Sequence, residues 1–119
     1  MPRRGDRAAP PARRDEWTLI FADNSAASGW EDLCAQAPGP MLEAWSHLSR
    51  DPRDRRANPG RVNRLRGDLG TRHLGGKALE QWQYEVTGAG RIWYCLDEAR
   101  HIAHITLASS GHPAATDRS

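Results

Sequence analysis

The sequence predicts one small α+β domain, in which a strand and two short helices precede a three-stranded antiparallel meander. Three observations lead to this prediction. In residues 16–22, Trp17, Leu19 and Phe21 alternate with Thr18 and Ile20, as the two faces of a strand do. Residues 30–48 carry two apolar stripes at helical spacing. Residues 79–107 contain three short β-type segments separated by turn residues. The expected order is therefore β-α-α-β-β-β.

A chain of 119 residues is long enough for a single domain, which we assign to residues 16–117. Residues 1–15 are rich in Arg, Pro and Ala and lack apolar periodicity, so we expect a disordered tail. The tail has no apolar signal-peptide core, and no other stretch approaches a membrane span. Cys34 and Cys95 show no pairing pattern, which favours buried, reduced thiols. These features predict a cytoplasmic protein without a membrane partner.

The two predicted helices are separated by a proline-rich break. Asn24 or Ser25 can cap the first helix, and residues 28–31 also have capping-box spacing. Residues 38–40 (Pro-Gly-Pro) end the first helix, and the second ends before the Asp-Pro pair at 51–52. The apolar stripes comprise Trp30, Leu33, Cys34 and Ala37 in the first helix and Met41, Ala44, Trp45 and Leu48 in the second. Both stripes need an apolar partner, and one face of the sheet is the large candidate.

Turn lengths predict the register of the meander. A three-residue turn at residues 88–90 keeps the apolar side chains on one face and places Glu85 opposite Trp93. A two-residue turn at residues 98–99 then places His104 opposite Trp93. The predicted core face consists of Trp82, Tyr84, Val86, Ile92, Tyr94, Leu96, Ala103, Ile105 and Leu107. The predicted open face consists of Gln81, Gln83, Glu85, Thr87, Arg91, Trp93, Cys95, His104 and Thr106.

Residues 50–77 form the most basic part of the chain. They carry nine Arg and Lys residues against three Asp, a net charge of +6, whereas residues 17–49 carry four acids and no Arg or Lys. The segment is rich in loop residues, with one brief extended stretch predicted at residues 64–67. Such an asymmetry is typical of a surface that binds a polyanion, although a solvated Arg-rich loop has the same composition.

The predicted open face gathers groups suited to phosphate binding and acid–base chemistry. Arg91 follows a glycine turn, where its guanidinium can bind a phosphate or pair across the strands with Glu85. Glu85 can act as a general base, and the loop residue His112 can transfer a proton near neutral pH. Lys77 is the only lysine of the chain and precedes the next strand. We interpret His104, stacked on Trp93, as structural.

Several other site classes are not indicated. His101 and His104 are three residues apart on a predicted strand and face opposite ways, and the chain has no Cys-x-x-Cys or paired-acid spacing for a metal. It also shows no recognisable nucleophilic triad and no glycine-rich loop of the kind that binds a nucleotide cofactor. With these site classes set aside, the sequence favours metal-free binding or cleavage of a phosphodiester. In that chemistry Arg91 and Lys77 supply the cations, and Glu85 and His112 divide the two proton transfers.

In the order of its elements, the chain resembles the RelE/ParE-like toxins of type II toxin–antitoxin systems. The motifs that carry the resemblance are WEDLCAQAP at 30–38, RLRG at 64–67, LEQWQYEV at 79–86, GRIWY at 90–94 and SGHP at 110–113. The resemblance covers residues 16–117 and implies two helices packed on a small antiparallel sheet. It also implies cleavage of mRNA in the ribosomal A site, without a cofactor, and inhibition by a cognate antitoxin.

The resemblance assigns roles to individual residues. Arg91 matches an Arg that contacts the scissile phosphate, and His112 matches a proton-transferring His of some branches. The resemblance implies that basic residues ahead of the middle strand bind RNA or the ribosome, and the candidates are Arg61, Arg64, Arg66, Arg72 and Lys77. We also expect Trp93 and His104 to contact RNA. The chain lacks the lysine pair on the middle strand and the C-terminal tyrosine of some relatives. Two alternatives stay open: a ParE-like or inactive paralogue that acts by binding gyrase or antitoxin, and a plain RNA-binding domain.

Overall fold

The computed structural model describes residues 2–8, 11–13, 15–56 and 59–111. Its elements are β1 (Thr18–Phe21), α1 (Asn24–Gln36), α2 (Pro38–Arg50), β2 (Val62–Arg64), a 3₁₀ helix (Gly67–Gly70), β3 (Thr71–Leu74), β4 (Lys77–Glu85), β5 (Arg91–Asp97) and β6 (Ile102–Ser109). The prediction of an α+β fold with two helices and a sheet is confirmed. Neither helix is long and apolar enough to cross a membrane.

The strands form one mixed sheet in the order β1-β6-β5-β4-β2, and β3 also pairs with β4. All the pairings are antiparallel except that of β1 with β6, which is parallel. The expectation of a purely antiparallel sheet is therefore wrong at the β1 edge. No tight turn joins β1 to β6, so the long connection between them permits either direction.

β2, the 3₁₀ helix and β3 lie where the sequence predicted mainly loop. The predicted extended stretch at residues 64–67 begins at the last residue of β2. β3 and β4 form a hairpin whose two-residue turn is Gly75 and Gly76, with φ of +58° and +81°. A tight hairpin turn needs positive φ at both positions, and glycine adopts it without a Cβ clash. The Gly-Gly pair was thus the sequence signal for this hairpin.

The N-cap of α1 lies one residue before the first predicted cap. Asp23 is the N-cap, and its Oδ1 accepts a hydrogen bond from the backbone N–H of Ala26 at 2.8 Å. Asn24 and residues 28–31 therefore lie within the helix, and the predicted caps are wrong. Pro38 starts α2, because the first turn of a helix does not need its missing N–H. The buried helical residues are Ala26, Ala27, Trp30 and Leu33 in α1 and Met41, Ala44, Leu48 and Ser49 in α2.

Residues 5–8, predicted as part of a disordered tail, lie along β1 instead. Arg7 forms an antiparallel bridge with Ile20, and the N–H of Ala8 donates to the Leu19 carbonyl at 2.8 Å. Ala8 is buried. The pairing satisfies backbone groups at the edge of β1 that would otherwise be exposed. With one buried side chain, this segment has no apolar period that a sequence could reveal.

The predicted β4–β5 register is wrong by two residues, and the β5–β6 register is wrong by two residues from Tyr94 to Asp97 and by three from Arg91 to Trp93. Glu85 pairs with Arg91, and Asp97 pairs with Ile102, so the connecting loops have five and four residues. Side chains on a strand alternate with a period of two. A two-residue shift therefore leaves the residues on their predicted faces while changing every cross-strand partner.

A β-bulge moves Leu107 off its predicted core position. The pairing of β5 with β6 shifts by one residue between Trp93 and Tyr94, which leaves Thr106 as the extra residue. Leu107 then pairs with Trp93, and Ala108 takes the buried position. A bulge changes the parity of one strand, which alternation alone cannot reveal.

The two helices pack on one face of the sheet. α1 packs chiefly on β6, and the closest approach is at Gly29, where a Cβ would lie 1.8 Å from the Ala108 carbonyl oxygen. The Tyr94 hydroxyl donates to the Pro52 carbonyl at 2.7 Å, which ties the end of α2 to β5. The largest side chains of the core include Phe21, Leu33, Leu48, Val62, Tyr84, Val86, Ile92, Tyr94 and Ile105.

The Gly29 contact generates a stability prediction. Gly29→Ala should lower the free energy of unfolding by about 1–3 kcal/mol, because the added methyl forces α1 away from β6. Ser28→Ala is the matched control, since Ser28 is exposed on the same helix and alanine favours helix formation. Urea unfolding of both variants measures the difference. A Gly29→Ala protein as stable as Ser28→Ala would contradict the close packing.

Candidate functional site

The face of the sheet away from the helices carries most of the predicted site residues. We call it the open face, and its membership follows from the pairings of β4, β5 and β6. Its residues are Lys77, Leu79, Gln81, Gln83 and Glu85 on β4, Arg91, Trp93, Cys95 and Asp97 on β5, and Ile102, His104, Thr106, Leu107 and Ser109 on β6. All the predicted members except Thr87, which lies in the β4–β5 loop, are on this face. The strands extend it further than predicted, and the bulge adds Leu107.

Arg91 lies at the start of β5 beside a shallow hollow of about 80 Å³. Thr87 orders the adjoining loop, because its Oγ1 accepts the Gly90 N–H at 2.8 Å. Arg91 is exposed, and no carboxylate of the described residues lies within ion-pairing distance of it. Glu85 lies opposite Arg91 on the neighbouring strand but forms no ion pair with it, so the guanidinium is available to a ligand. The hollow is lined by Gln83, Glu85, Gly88, Ala89, Gly90 and Arg91.

The end of β6 reaches the same place. Ser109 pairs with Arg91, and its Oγ accepts the N–H of Gly111 at 3.1 Å. Gly111 has a φ of +79°, and a Cβ there would lie 2.5 Å from the Cβ of Ala89. The chain thus crosses the β4–β5 loop beside Arg91 at a contact that requires glycine. His112, the next residue of the sequence, lies outside the described residues.

Lys77 lies at the opposite end of the open face from Arg91. It begins β4, whereas Glu85 ends it, and eight residues of strand span about 26 Å. Its Nζ lies 3.4 Å from the Asp97 Oδ1. The expectation that Lys77 and Arg91 act on one phosphate is therefore wrong, because β4 holds their ends of the sheet apart.

His104 is also separate from Trp93. It pairs with Cys95 and lines a small hollow with Lys77, Asp97 and Arg100. The predicted stacking of His104 on Trp93 is wrong, because the register shift moves its partner by two positions. Burial lowers the pKa of His104 below its usual 6.5, despite the opposing attraction of Asp97.

Trp93 presents a fixed aromatic surface in the middle of the open face. Its indole Nε1 donates to the Gln83 Oε1 at 2.9 Å, and the side chain is half-buried. Leu107 lies opposite it on β6. The bulge thus creates an apolar pair on a face that alternation predicted to be polar.

The sequence pattern does not predict a hydrogen-bond network that is centred on Gln81. Gln81 is buried, its Oε1 accepts from the Thr106 hydroxyl at 2.6 Å, and its Nε2 donates to the Leu69 carbonyl at 2.8 Å. The Cys95 thiol lies 3.5 Å from the same Oε1, and burial raises its pKa to about 11. Cys95 is therefore protonated at neutral pH and unsuited to nucleophilic attack. The network attaches the 3₁₀ helix to the open face.

The predicted cations of the basic segment have different environments. Arg61 is exposed, and its carbonyl accepts the N–H of Glu85 at 2.9 Å, but its guanidinium lies near the Tyr84 hydroxyl on the helix side of the sheet, where it opposes the rise in the Tyr84 pKa that burial causes. Arg66 is exposed next to the 3₁₀ helix, and Arg72 is half-buried on β3. Arg64 has a structural contact, because its Nη2 donates to the Gly70 carbonyl at 3.0 Å.

A second polar pair lies on the helix side of the sheet. The rings of His47 and Tyr84 are 5.1 Å apart, and neither the His47 Nε2 nor the Tyr84 hydroxyl has a hydrogen-bond partner among the described residues. Burial lowers the pKa of His47, although Asp54 and Asp51 oppose the shift. This pair was not predicted, because its two members are far apart in the sequence.

The lowered pKa values of His47 and His104 generate a pH prediction. The unfolded chain binds more protons than the folded chain below pH 6.5, so the free energy of unfolding should fall as pH decreases through that value. His47→Gln and His104→Gln should each reduce this dependence, and Ser28→Ala, which removes no titratable group from an exposed position, should not. Urea unfolding from about pH 7.5 down to about pH 5 measures how the free energy of unfolding depends on pH. If both His47→Gln and His104→Gln kept the wild-type pH dependence, the two half-buried histidines would not be its source.

Comparison with known proteins adds no assignment to this geometry. Neither a scan against protein-family models nor a search of curated proteins finds a match for the sequence. Among the described residues, no group of three or more His, Cys, Asp or Glu side chains is placed to hold a metal ion.

Proposed function

We propose that this chain is a RelE/ParE-like toxin of a type II toxin–antitoxin system, and that it cuts mRNA on the ribosome and so inhibits translation. The element order, the helix pair on one face of the sheet and the basic segment support this assignment. Its expected partners are mRNA, the ribosome and a cognate antitoxin protein.

The observation that carries the proposal is the row formed by Glu85, Arg91 and Ser109. These residues come from three neighbouring strands, and backbone pairing aligns them across the sheet. The row combines a carboxylate with a guanidinium that no described carboxylate neutralises. A guanidinium in this state binds a phosphate through charge-assisted hydrogen bonds.

RNA cleavage by this row needs no group beyond the chain's own side chains and the RNA. The Glu85 carboxylate accepts the 2′-OH proton, and the 2′ oxygen attacks the phosphorus to form a 2′,3′-cyclic phosphate. Arg91 stabilises the charge that develops on the non-bridging oxygens. The bond to the 5′ oxygen breaks, and protonated His112 supplies the proton to that leaving group. Glu85 thus gains one proton and His112 loses one, so the step balances.

The basic segment supplies attraction for the RNA. Arg66 precedes the 3₁₀ helix and Arg72 lies on β3, which pairs with β4. Contacts of this kind are independent of sequence and weaken as salt increases. Lys77 receives no catalytic step, because it lies at the other end of β4.

Arg91→Ala provides the direct test of the proposal. Induced wild-type protein should arrest bacterial growth and cut a translated message at in-frame positions, detected by primer extension. The variant should cut at least about 100-fold more slowly, because it lacks the phosphate-stabilising cation. Arg50→Ala is the control, since it removes an exposed Arg from α2, on the helix side of the sheet.

Two outcomes would contradict the nuclease proposal. A folded Arg91→Ala protein that cuts at the wild-type rate would remove Arg91 from the mechanism. Growth arrest without cleavage would instead favour the alternative activity, in which the toxin acts by binding a protein such as gyrase. Circular dichroism and a thermal melt confirm that each variant is folded.

Gly111 provides a second test, because its backbone contacts Ala89 of the β4–β5 loop beside Arg91. Gly111→Ala adds a methyl against Ala89 and should lower cleavage at least about 10-fold. Gly76→Ala is the matched control: its φ of +81° is close to that of Gly111, but its Cβ would meet nothing within 4 Å. Both variants should lose about 1–2 kcal/mol of stability from the left-handed backbone. Equal cleavage by the two variants would contradict a role for this contact.

A further inference from the structure

An open groove of about 330 Å³ lies on the open face next to the row that contains Arg91. Trp93 and Leu107 form one wall, and the 3₁₀ helix and β3 form the other. This volume is at the lower end for ligand sites and matches a single ring system rather than an extended ligand. The lining residues are Asp68, Leu69, Thr71, Arg72, Gln81, Trp93, Thr106 and Leu107.

The floor of the groove is already satisfied by internal hydrogen bonds. The Thr106 hydroxyl donates to the Gln81 Oε1, and the Gln81 Nε2 donates to the Leu69 carbonyl. Both side chains are buried. The floor therefore gives the groove a fixed shape. Because its polar groups are already hydrogen-bonded, a ligand would be recognised by the side chains of the walls.

One wall is a flat aromatic surface that is ordered before any ligand binds. The hydrogen bond from the Trp93 indole to Gln83 holds the ring, and the bulge brings Leu107 beside it. An ordered aromatic ring can stack on a second ring without losing much side-chain entropy.

The charges around the groove indicate what kind of ring would enter. Arg72 lines the opposite wall, and Arg91 is two residues from Trp93 on the same strand face, about 7 Å away along β5. A nucleotide whose phosphate binds Arg91 therefore brings a base within reach of Trp93. Single-stranded RNA is commonly bound in this way, by stacking on aromatic side chains within a positively charged groove.

We propose that this groove binds one nucleobase of the RNA strand whose phosphate lies at Arg91, with the base stacked on Trp93. Arg72 and Asp68 line the opposite wall, where they can contact the polar edge of the base. The proposal depends on the function proposed above and extends it, since it makes Trp93 a determinant of where the strand is positioned.

The test measures binding of an eight-nucleotide, fully 2′-O-methylated RNA, which has no free 2′-OH and cannot be cut. One abasic nucleotide is placed at each position in turn, and affinity is followed by fluorescence anisotropy at low salt. For wild-type protein, one abasic position should weaken binding by about 5- to 150-fold, as expected for the loss of one stacked base. The other positions should have smaller effects.

Trp93→Ala should bind the intact RNA and the sensitive abasic RNA equally weakly, and Trp93→Phe should restore part of the difference. Leu42→Ala is the control, because Leu42 is exposed on α2, on the helix side of the sheet. Thermal melts show whether the variants fold, and Trp93→Phe keeps the test valid if the alanine variant does not.

Three outcomes would overturn the inference: no abasic position that matters, the same abasic effect in Trp93→Ala, or no RNA binding by the wild-type protein. The result is also independent of catalysis. Base-dependent binding by a protein that cuts no message would overturn the nuclease proposal alone. Cleavage of a message by a protein that ignores the missing base would overturn this inference alone.

Discussion

Burial of one face of the sheet beneath α1 and α2 is the constraint on which the rest of the structure depends. The core of the described chain lies between these two layers. Because strand side chains alternate, each strand that turns apolar residues toward the helices must turn the others toward the open face. The contact of Gly29 with Ala108 and the hydrogen bond from Tyr94 to Pro52 hold the layers together. The open face is in this sense a consequence of the core.

A single bulge adds the detail that alternation cannot supply. It leaves Thr106 free to bond Gln81, turns Leu107 toward Trp93 and aligns Ser109 with Arg91. The groove and the Arg91 row are therefore products of the same irregularity. Bulges are frequently found beside functional sites because they redirect side chains without disturbing the sheet as a whole. Here the redirected side chains form an apolar wall next to an exposed cation.

The arginines of this chain divide into structural and available groups. Arg53 forms ion pairs with Glu80 and Glu98 at 3.3 Å and 2.6 Å, and Arg64 donates to the Gly70 carbonyl. Such exposed pairs contribute at most about 1 kcal/mol each. Arg91 has no ion pair with the described residues despite its position opposite Glu85. The net charge of the segment therefore overstates how many cations are free, and the position of each guanidinium matters more than their number.

Local patterns in the sequence were sufficient to predict the helices, the three long strands and the face on which Glu85, Arg91, Trp93 and His104 lie. They succeeded because apolar periodicity reports which side of an element is buried, and a two-residue register error preserves that side. Tertiary structure decided the parallel β1–β6 pair, the bulge at Thr106 and the distance between Lys77 and Arg91. These features depend on contacts between residues far apart in the chain. The sequence of one strand does not determine which residues of the neighbouring strand pair with its own residues.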